Sequence, residues 1–196
     1  MKTVITKLSL TLVGMAMFGL TFVGHAQAFL NPGFIDIKVS ISATKSLAIG
    51  TTNYNYGALG VGVSSVSSSI LVTNDSGGYI ESYSLQGADA DINGGGDVWA
   101  LAASTSAATD DYALAAQFST AQPSDADGSW GSDNLTTGTQ NCTTHDTFGN
   151  TTAGQSCFQV SPVTGSKTRN LWFRIKTPGV ISNIGQHLAV ITLGVQ

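Results

Sequence analysis

The sequence predicts an all-β protein, namely an antiparallel β-sandwich of the immunoglobulin-like or jelly-roll kind with about eight or nine strands. Short runs in which apolar and polar residues alternate recur along the chain, as in strands with one buried face. Turn signals rich in Gly, Asn, Asp and Ser separate these runs. Lys and Glu, which favour exposed helices, are scarce, so we expect no long helix.

Residues 1–28 have the pattern of a secretory signal peptide. A basic start is followed by an apolar run over residues 8–23 and by an Ala-Gln-Ala sequence that ends at Ala28. The apolar run is too short to anchor the chain permanently in a membrane. We expect cleavage after Ala28, which leaves a single domain over residues 29–196 that is secreted or attached to the cell surface, with no membrane span.

Charge is unevenly distributed along the chain. Without the two lysines of the signal peptide, the chain has six basic residues and twelve carboxylates, which gives a net charge of −6. No basic patch is large enough for a nucleic-acid partner. No Lys or Arg occurs between Lys45 and Lys167, and that interval holds eleven of the twelve carboxylates. If the terminal strands are neighbours, the fold should have a basic and a larger acidic region; the alternative is an accidental segregation of solvated charges.

The first predicted strand of the domain covers Phe34–Ala43. Pro32-Gly33 precedes it and could act as a hinge, so residues 29–43 are a candidate for donation to a second copy of the chain. The alternative is that the strand pairs within its own domain. The candidate assembly residues are Phe34, Ile35, Ile37, Val39 and Ile41, together with Arg174 and Lys176 from the C-terminal region.

The middle of the chain contains shorter predicted strands and one long irregular region. A helix remains an alternative for Ala100–Ala108, because of its alanines. Ala121–Ser156 is polar and rich in glycine, and we expect it to be a surface excursion that holds at most one irregular strand. The strands are expected near Tyr54–Tyr56 and over Ser69–Thr73, Tyr79–Leu85, Val98–Leu101, Tyr112–Phe118 and Phe158–Val160.

The last region contains the clearest alternation. In Asn170–Lys176 the apolar residues occupy every second position, and a second apolar run covers His187–Val195. Pro178-Gly179 interrupts the two runs, because proline lacks the N–H that a ladder needs and glycine accepts turn geometry. The sequence therefore predicts two strands of one sheet, with the rest of the chain packed against them.

The two cysteines predict a disulfide. Cys142 and Cys157 are the only cysteines of a chain that we expect to be exported, so pairing is the default. The alternative is a metal site formed by both cysteines with His145 and Asp146.

A second candidate site is the segment DADINGGGD. Alternating oxygen-bearing side chains followed by glycines resemble the first half of a calcium loop, with Asp89, Asp91, Asn93 and Asp97 as ligands. An EF-hand is excluded because Ala100 occupies the position of the bidentate acid. The alternative is an ordinary turn rich in Asp and Gly, and no other cofactor is expected.

Catalytic motifs are missing from the sequence. It contains no G-x-S-x-G nucleophile elbow, and residues 29–196 contain only two histidines, so we expect no enzyme. Five aromatic residues could form a sugar-stacking platform or simply pack the fold: Trp99, Trp130, Trp172, Tyr54 and Tyr56. N-glycosylation sequons begin at Asn74, Asn134, Asn141 and Asn150, and they matter only in a host that glycosylates them.

The layout of the chain resembles exported β-sandwich subunits of bacterial surfaces. The residues that carry the resemblance are the signal-peptide pattern followed by FIDIKVSIS, the VTNDSGG turn, and LWFRIKTP followed by HLAVITLGVQ. Biofilm-fibre proteins, pilin-like subunits and small immunoglobulin-like surface domains share this layout. The resemblance implies a non-enzymatic structural protein that associates with copies of itself. The alternatives are a monomeric carbohydrate-binding or adhesive module for cell-surface glycans and, third, a secreted hydrolase.

Overall fold

The computed structural model describes residues 33–42, 45–92, 98–104, 108–131, 133–149, 154–165, 167–182 and 185–196. All of them belong to the unit Asn31–Gln196. The expected signal peptide and the lead from Phe29 to Pro32 lie outside the described residues.

Strands dominate this part of the chain, as the alternation predicts. The elements are β1 (Gly33–Ser42), β2 (Leu47–Ile49), β3 (Asn53–Leu59), β4 (Ser64–Val66), β5 (Ile70–Asn74), β6 (Tyr83–Gln86), β7 (Asp91–Ile92), β8 (Ala100–Ala102), β9 (Asp111–Phe118), one 3-10 turn (Asp127–Ser129), β10 (Gln140–Asn141), β11 (Thr168–Lys176) and β12 (His187–Val195). The region in which a helix was an alternative contains β8 instead. Among the described elements there is no helix long and apolar enough to cross a membrane.

The strands form two six-stranded sheets, and the predicted β-sandwich is confirmed. Sheet A has the order β10-β6-β12-β1-β3, with β7 pairing to β12 on the same side as β6. Sheet B has the order β2-β5-β11-β9-β8, with β4 pairing to β11 on the same side as β5. The strand count exceeds the prediction because each central strand has a divided partner. β5 and β4 pair with successive parts of β11, and β6 and β7 pair with successive parts of β12.

The sheets are mixed, which corrects the expectation of purely antiparallel pairing. β1 runs parallel to β12, with Ile35 opposite His187 and Ser42 opposite Gly194, and β8 runs parallel to β9. The alternation within a strand indicates which residues face the core, but it contains no information about the direction of a partner that is distant in sequence. The two terminal strands are therefore neighbours, although they pair in parallel.

The expected C-terminal pairing of β11 with β12 is wrong. β11 is the centre of sheet B and β12 is the centre of sheet A, so the break at Pro178-Gly179 belongs to a crossover between the layers rather than to a hairpin turn. Both strands have the burial pattern of a sandwich core, since their inward side chains are fully buried: Leu171, Phe173 and Ile175 on β11, and Ala189, Ile191 and Leu193 on β12.

One hydrophobic cluster joins the inner faces of both sheets. From β1, Ile35, Ile37 and Val39 contribute side chains that are at most 2% exposed. Each such apolar side chain contributes about 1.5–3 kcal/mol when it leaves water. β1 is thus an integral layer of the core, and the position of the N-terminal strand follows from the alternation of its residues.

Candidate functional site

The sandwich has two ends, which we name by the course of the described chain. At the entry end β1 begins, and the turn after β3 meets the end of β11 through a hydrogen bond from the Gly62 N–H to the Pro178 carbonyl. At the exit end β1 and β12 finish and β11 begins. There the Asn74 N–H donates to the Lys167 carbonyl, and the Asp75 N–H donates to the Ser46 carbonyl.

The disulfide fastens a loop to sheet A. Cys142 and Cys157 are bonded, with their Cα atoms 5.9 Å apart, so the predicted disulfide is confirmed. The alternative metal site with His145 and Asp146 is wrong, because both sulfur atoms are used in the disulfide. Tyr83 of β6 donates its N–H to the Cys157 carbonyl and accepts the Cys142 N–H at its own carbonyl. The covalent link therefore holds two segments against one strand residue.

The structure describes two of the four predicted calcium ligands. The Oδ1 atom of Asp89 accepts the Leu101 N–H at 2.8 Å, and Asp91 is exposed in β7. Asn93 and Asp97 lie outside the described residues. Among the residues that the structure does describe, no three His, Cys, Asp or Glu side chains form a group that could hold a metal ion. A calcium role for this loop stays a prediction.

β1, the candidate for donation, is paired on both sides within its own chain. β12 lies on one side and β3 on the other. Phe34 and Ile41 belong to β1 by their backbone, but their side chains lie outside the described part. The structure therefore gives the geometry of the intramolecular alternative, whereas exchange between copies stays a prediction.

Arg174 forms an internal ion cluster, although the charge pattern assigned it to a basic surface. Its side chain is 5% exposed, its Nε lies 2.9 Å from the Asp125 Oδ1, and its Nη2 lies 2.5 Å from the Asp127 Oδ1. The Lys176 Nζ lies 3.9 Å from the Asp127 Oδ2. The hydrogen bond and the charge of Arg174 hold the pKa of the Asp127 carboxyl below its ordinary value.

The loop that supplies these carboxylates covers the outer face of sheet B. It belongs to the region that was expected to be a surface excursion, and its Trp130 side chain is buried, with the indole N–H donating to the Ser124 carbonyl at 2.7 Å. Asp133 lies just after it: its Oδ1 accepts the Phe148 N–H at 3.0 Å, and its Oδ2 accepts the Gln117 amide at 3.3 Å. Burial raises the pKa of Asp133 to about 6, against the lowering effect of these two hydrogen bonds.

The five aromatic residues do not form a single platform. Trp99 and Trp130 are 4% and 2% exposed. Trp172 is half-buried and donates its indole N–H to a loop carbonyl at 2.9 Å. Tyr54 and Tyr56 meet edge to face on β3, and the Tyr56 hydroxyl donates to a carbonyl of β11 at 2.9 Å. These contacts are those expected of aromatic residues that pack the fold.

The sequence predictions missed two buried ionisable groups. Glu81 is inaccessible to solvent at the exit end, and neither of its oxygens reaches a partner with hydrogen-bond geometry in the described part. Burial raises the pKa of its carboxyl, and the nearby charge of Lys45 offsets this only in part. His187 is fully buried at the entry end, and burial lowers its pKa. A signal existed for Glu81, because it shares its strand face with Tyr83 and Leu85, which are core residues.

The sequons differ in accessibility. Asn74 is 1% exposed, and its amide donates to the Tyr79 and Val160 carbonyls, both at 2.8 Å, so a glycan there would replace at least one of these donated hydrogens. Asn134 is half-buried and Asn141 is exposed, while Asn150 lies outside the described residues.

No protein-family model matches the chain, and no curated protein matches it significantly in sequence.

Proposed function

We propose that this chain is an exported structural protein that associates with copies of itself into an extracellular filament, matrix or surface layer. The observation that carries the proposal is the presence of exposed apolar side chains at both ends of the sandwich. Tyr79, Ile80 and Val163 are 72%, 62% and 66% exposed near the exit end, and four valines are exposed near the entry end. Grouped apolar exposure of this kind is typical of contact surfaces between proteins.

Two further features support the proposal. Among the described strands, β3 pairs with β1 alone, so in this part of the chain the seven-residue strand offers an open sheet edge to another chain. The disulfide between Cys142 and Cys157 suits the oxidising environment outside the cell. The N-terminal sequence pattern points to the same location.

A monomeric carbohydrate-binding module is less well supported. Such a module needs aromatic faces open to a sugar ring. Trp99 and Trp130 are buried, and Trp172, Tyr54 and Tyr56 are half-buried. The exposed aromatic ring among the described residues is that of Tyr79, which belongs to the apolar group at the exit end.

The test measures the assembly state of residues 29–196 over a concentration series, by light scattering and negative-stain microscopy. We expect regular assemblies, and we expect Ile80→Ser with Val163→Ser to shift the protein towards the monomer. Leu71→Ser is the matched control, because Leu71 is also exposed but lies within β5 rather than at an end. A wild-type chain that stays monomeric at all concentrations contradicts the proposal, and glycan binding by that monomer would favour the alternative.

A further inference from the structure

β3 is the longest of the described strands that have a single partner strand. It has seven residues, whereas the other strands of this kind, β2, β4, β7, β8 and β10, have two or three. β1 lies on one side of β3, and no described strand pairs with the other side. β3 is therefore the edge at which a strand from another molecule can extend a sheet without displacing a described strand.

The backbone groups of β3 that face away from β1 belong to Asn53 and Asn55. The Val39 N–H donates to the Thr52 carbonyl, so Thr52 directs its backbone groups to β1. Directions alternate along an antiparallel ladder, so Tyr54 also directs its N–H and C=O to β1. Asn53 and Asn55 direct theirs outwards, and both residues are exposed.

A β-bulge limits this free stretch. The pairing of β1 with β3 shifts in register between Phe34 and Asp36, and Gly57 has a φ of +69°, in the left-handed region that glycine accepts. The Asn55 Oδ1 atom accepts the Gly57 N–H at 2.5 Å, so this donor is used within its own strand. The stretch that remains for another chain is Asn53–Asn55, with Tyr54 in its middle.

We propose that β3 pairs with β3 of a second copy, antiparallel and centred on Tyr54, so that two copies of sheet A form one continuous sheet. This inference rests on the proposed self-association and names one of its contacts. In this register Asn53 of each copy exchanges its free N–H and C=O with those of Asn55 in the other copy. A contact between identical strands of this kind has two-fold symmetry.

The two Tyr54 side chains complete the contact. They face each other as a non-hydrogen-bonded pair, which is the closer kind, with Cα atoms about 4.5 Å apart. Tyr54 is half-buried and meets Tyr56 edge to face within its own copy. Pairing therefore extends an aromatic cluster across the two-fold axis and removes more of the Tyr54 ring from water.

Charge favours a second copy as the occupant of this edge. No Asp, Glu, Lys or Arg occurs in residues 46–74, so β3 places no like charges against itself, and it lacks the charges that commonly protect sheet edges. On β1, Lys38 is opposite Asn53 and Asp36 is opposite Asn55. The register therefore aligns Lys38 with Asp36 of the second copy rather than with Lys38. The two β1 strands are about 14 Å apart, so this attraction is weak, but it opposes nothing.

The test joins single cysteines across the contact in residues 29–196. Asn53→Cys and Asn55→Cys should each link slowly to itself, because residues that are diagonal across an antiparallel pair lie about 7–8 Å apart. An equimolar mixture of the two should form covalent dimers at least about tenfold faster under mild oxidation. The matched control is Asn53→Cys mixed with Ala58→Cys, because Ala58 is exposed on the same strand but lies beyond the bulge.

A second measurement follows the dimer without a covalent link. Asn53→Pro removes an N–H that faces away from β1, so it spares the ladder of the chain's own sheet. We expect this variant to dimerise at least about tenfold more weakly in analytical ultracentrifugation, because each copy loses a hydrogen bond of the contact. Asn53→Ala is the control, since it keeps the N–H and should dimerise like the wild type.

The outcomes separate this inference from the function on which it rests. Faster linking in the mixture, with native circular dichroism for each variant, supports the antiparallel contact. If each cysteine variant links to itself as fast as in the mixture, or a folded Asn53→Pro dimerises like the wild type, the inference is wrong. A wild type that assembles without faster linking in the mixture also contradicts it and leaves the proposed function standing. A wild type that stops at the dimer supports the contact and overturns the filament, and one that stays monomeric overturns both.

Discussion

The indole ring of Trp99 lies flat against the imidazole of His187, with 3.7 Å between the ring centroids and 18° between the planes. Trp99 also exchanges both main-chain hydrogen bonds with Ala90, and this bridge links the edges of the two sheets at the entry end. The stacked pair thus packs a corner of the sandwich. Neither nitrogen of the His187 imidazole has a hydrogen-bond partner in the described part.

The first prediction is that His187→Phe stabilises the protein, most strongly in acid. Burial lowers the pKa of His187, and the nearby Ala90 backbone, Asp110 and Asp91 offset this only in part. The unfolded chain therefore binds a proton more readily, so stability is lost as the pH falls below 6.5 through the folded pKa. Phenylalanine keeps the stacking without the unpartnered nitrogens, and we expect a gain of about 1–3 kcal/mol at pH 5.

Chemical denaturation between pH 5 and pH 8 checks this expectation. The matched control is His145→Phe, because His145 lies exposed on the disulfide loop and donates or accepts at Ser156 rather than stacking in the core. A His187→Phe variant that is less stable than the wild type at both pH values would contradict the prediction.

The second prediction concerns Asp133, whose pKa is raised to about 6 by burial. A raised carboxyl pKa means that the folded state favours the protonated form, so stability decreases as the pH rises from 3.8 through 6. Asp133→Asn removes the buried charge and still accepts the Phe148 N–H. The Gln117 amide, which also donates to the Ser129 carbonyl, must give up one of its two hydrogen bonds. We therefore expect a net gain of about 1–3 kcal/mol at pH 8 that is lost near pH 4. Asp146→Asn, on an exposed carboxylate, is the control, and equal gains at both pH values would contradict the interpretation.

The strand pattern could be predicted because it depends on local sequence. Alternation placed β1, β11 and β12 correctly, since a period of two residues indicates which side chains enter the core. Partner choice depends on contacts between distant residues, and here the prediction failed for β11 and β12. A Pro-Gly break is compatible with a hairpin and with a crossover, and only the packing of the two layers decides between them.

The same limit applies to the sites. The two cysteines of the chain have one possible intramolecular partner each, so Cys142–Cys157 could be predicted. The burial of Arg174 could not, because it requires a loop 49 residues away to place Asp125 beside it.

The third prediction concerns the loop closed by the disulfide. A Cβ atom at Gly149 would collide with the Gln155 backbone carbonyl and lie 3.1 Å from the Ser156 Cα. Backbone cannot move aside as a flexible side chain can, so we expect Gly149→Ala to lower the free energy of unfolding by about 1–3 kcal/mol. Gly138→Ala is the matched control in the same region, because its nearest neighbour would be the Thr136 Oγ1 at 3.8 Å. Equal stability of the two variants would show that the loop packs differently.

The fourth prediction concerns calcium at the segment that begins with Asp89. If Asp89, Asp91 and Asp97 coordinate an ion, millimolar calcium should raise the melting temperature, because a ligand that binds only the folded state stabilises it. Asp91→Ala should abolish this rise. Asp75→Ala, on an exposed aspartate at the opposite end, should preserve it. An unchanged melting temperature of the wild type in calcium would favour the plain turn.

The fifth prediction locates β1 within assemblies. Lys38 of β1 is opposite Val190 of β12 on the outer face of sheet A, so cysteines at both positions should form a disulfide. Because β1 is paired with β12 and with β3 of its own chain, we expect Lys38→Cys with Val190→Cys to run as a covalent monomer on a non-reducing denaturing gel, even when taken from assembled protein. The locked chain should also still assemble. Ala48→Cys with Thr73→Cys, which joins β2 to β5 within sheet B, is the control for an intramolecular link. A ladder of covalent multimers from the first variant alone would show that β1 is exchanged between copies, as strand donation requires.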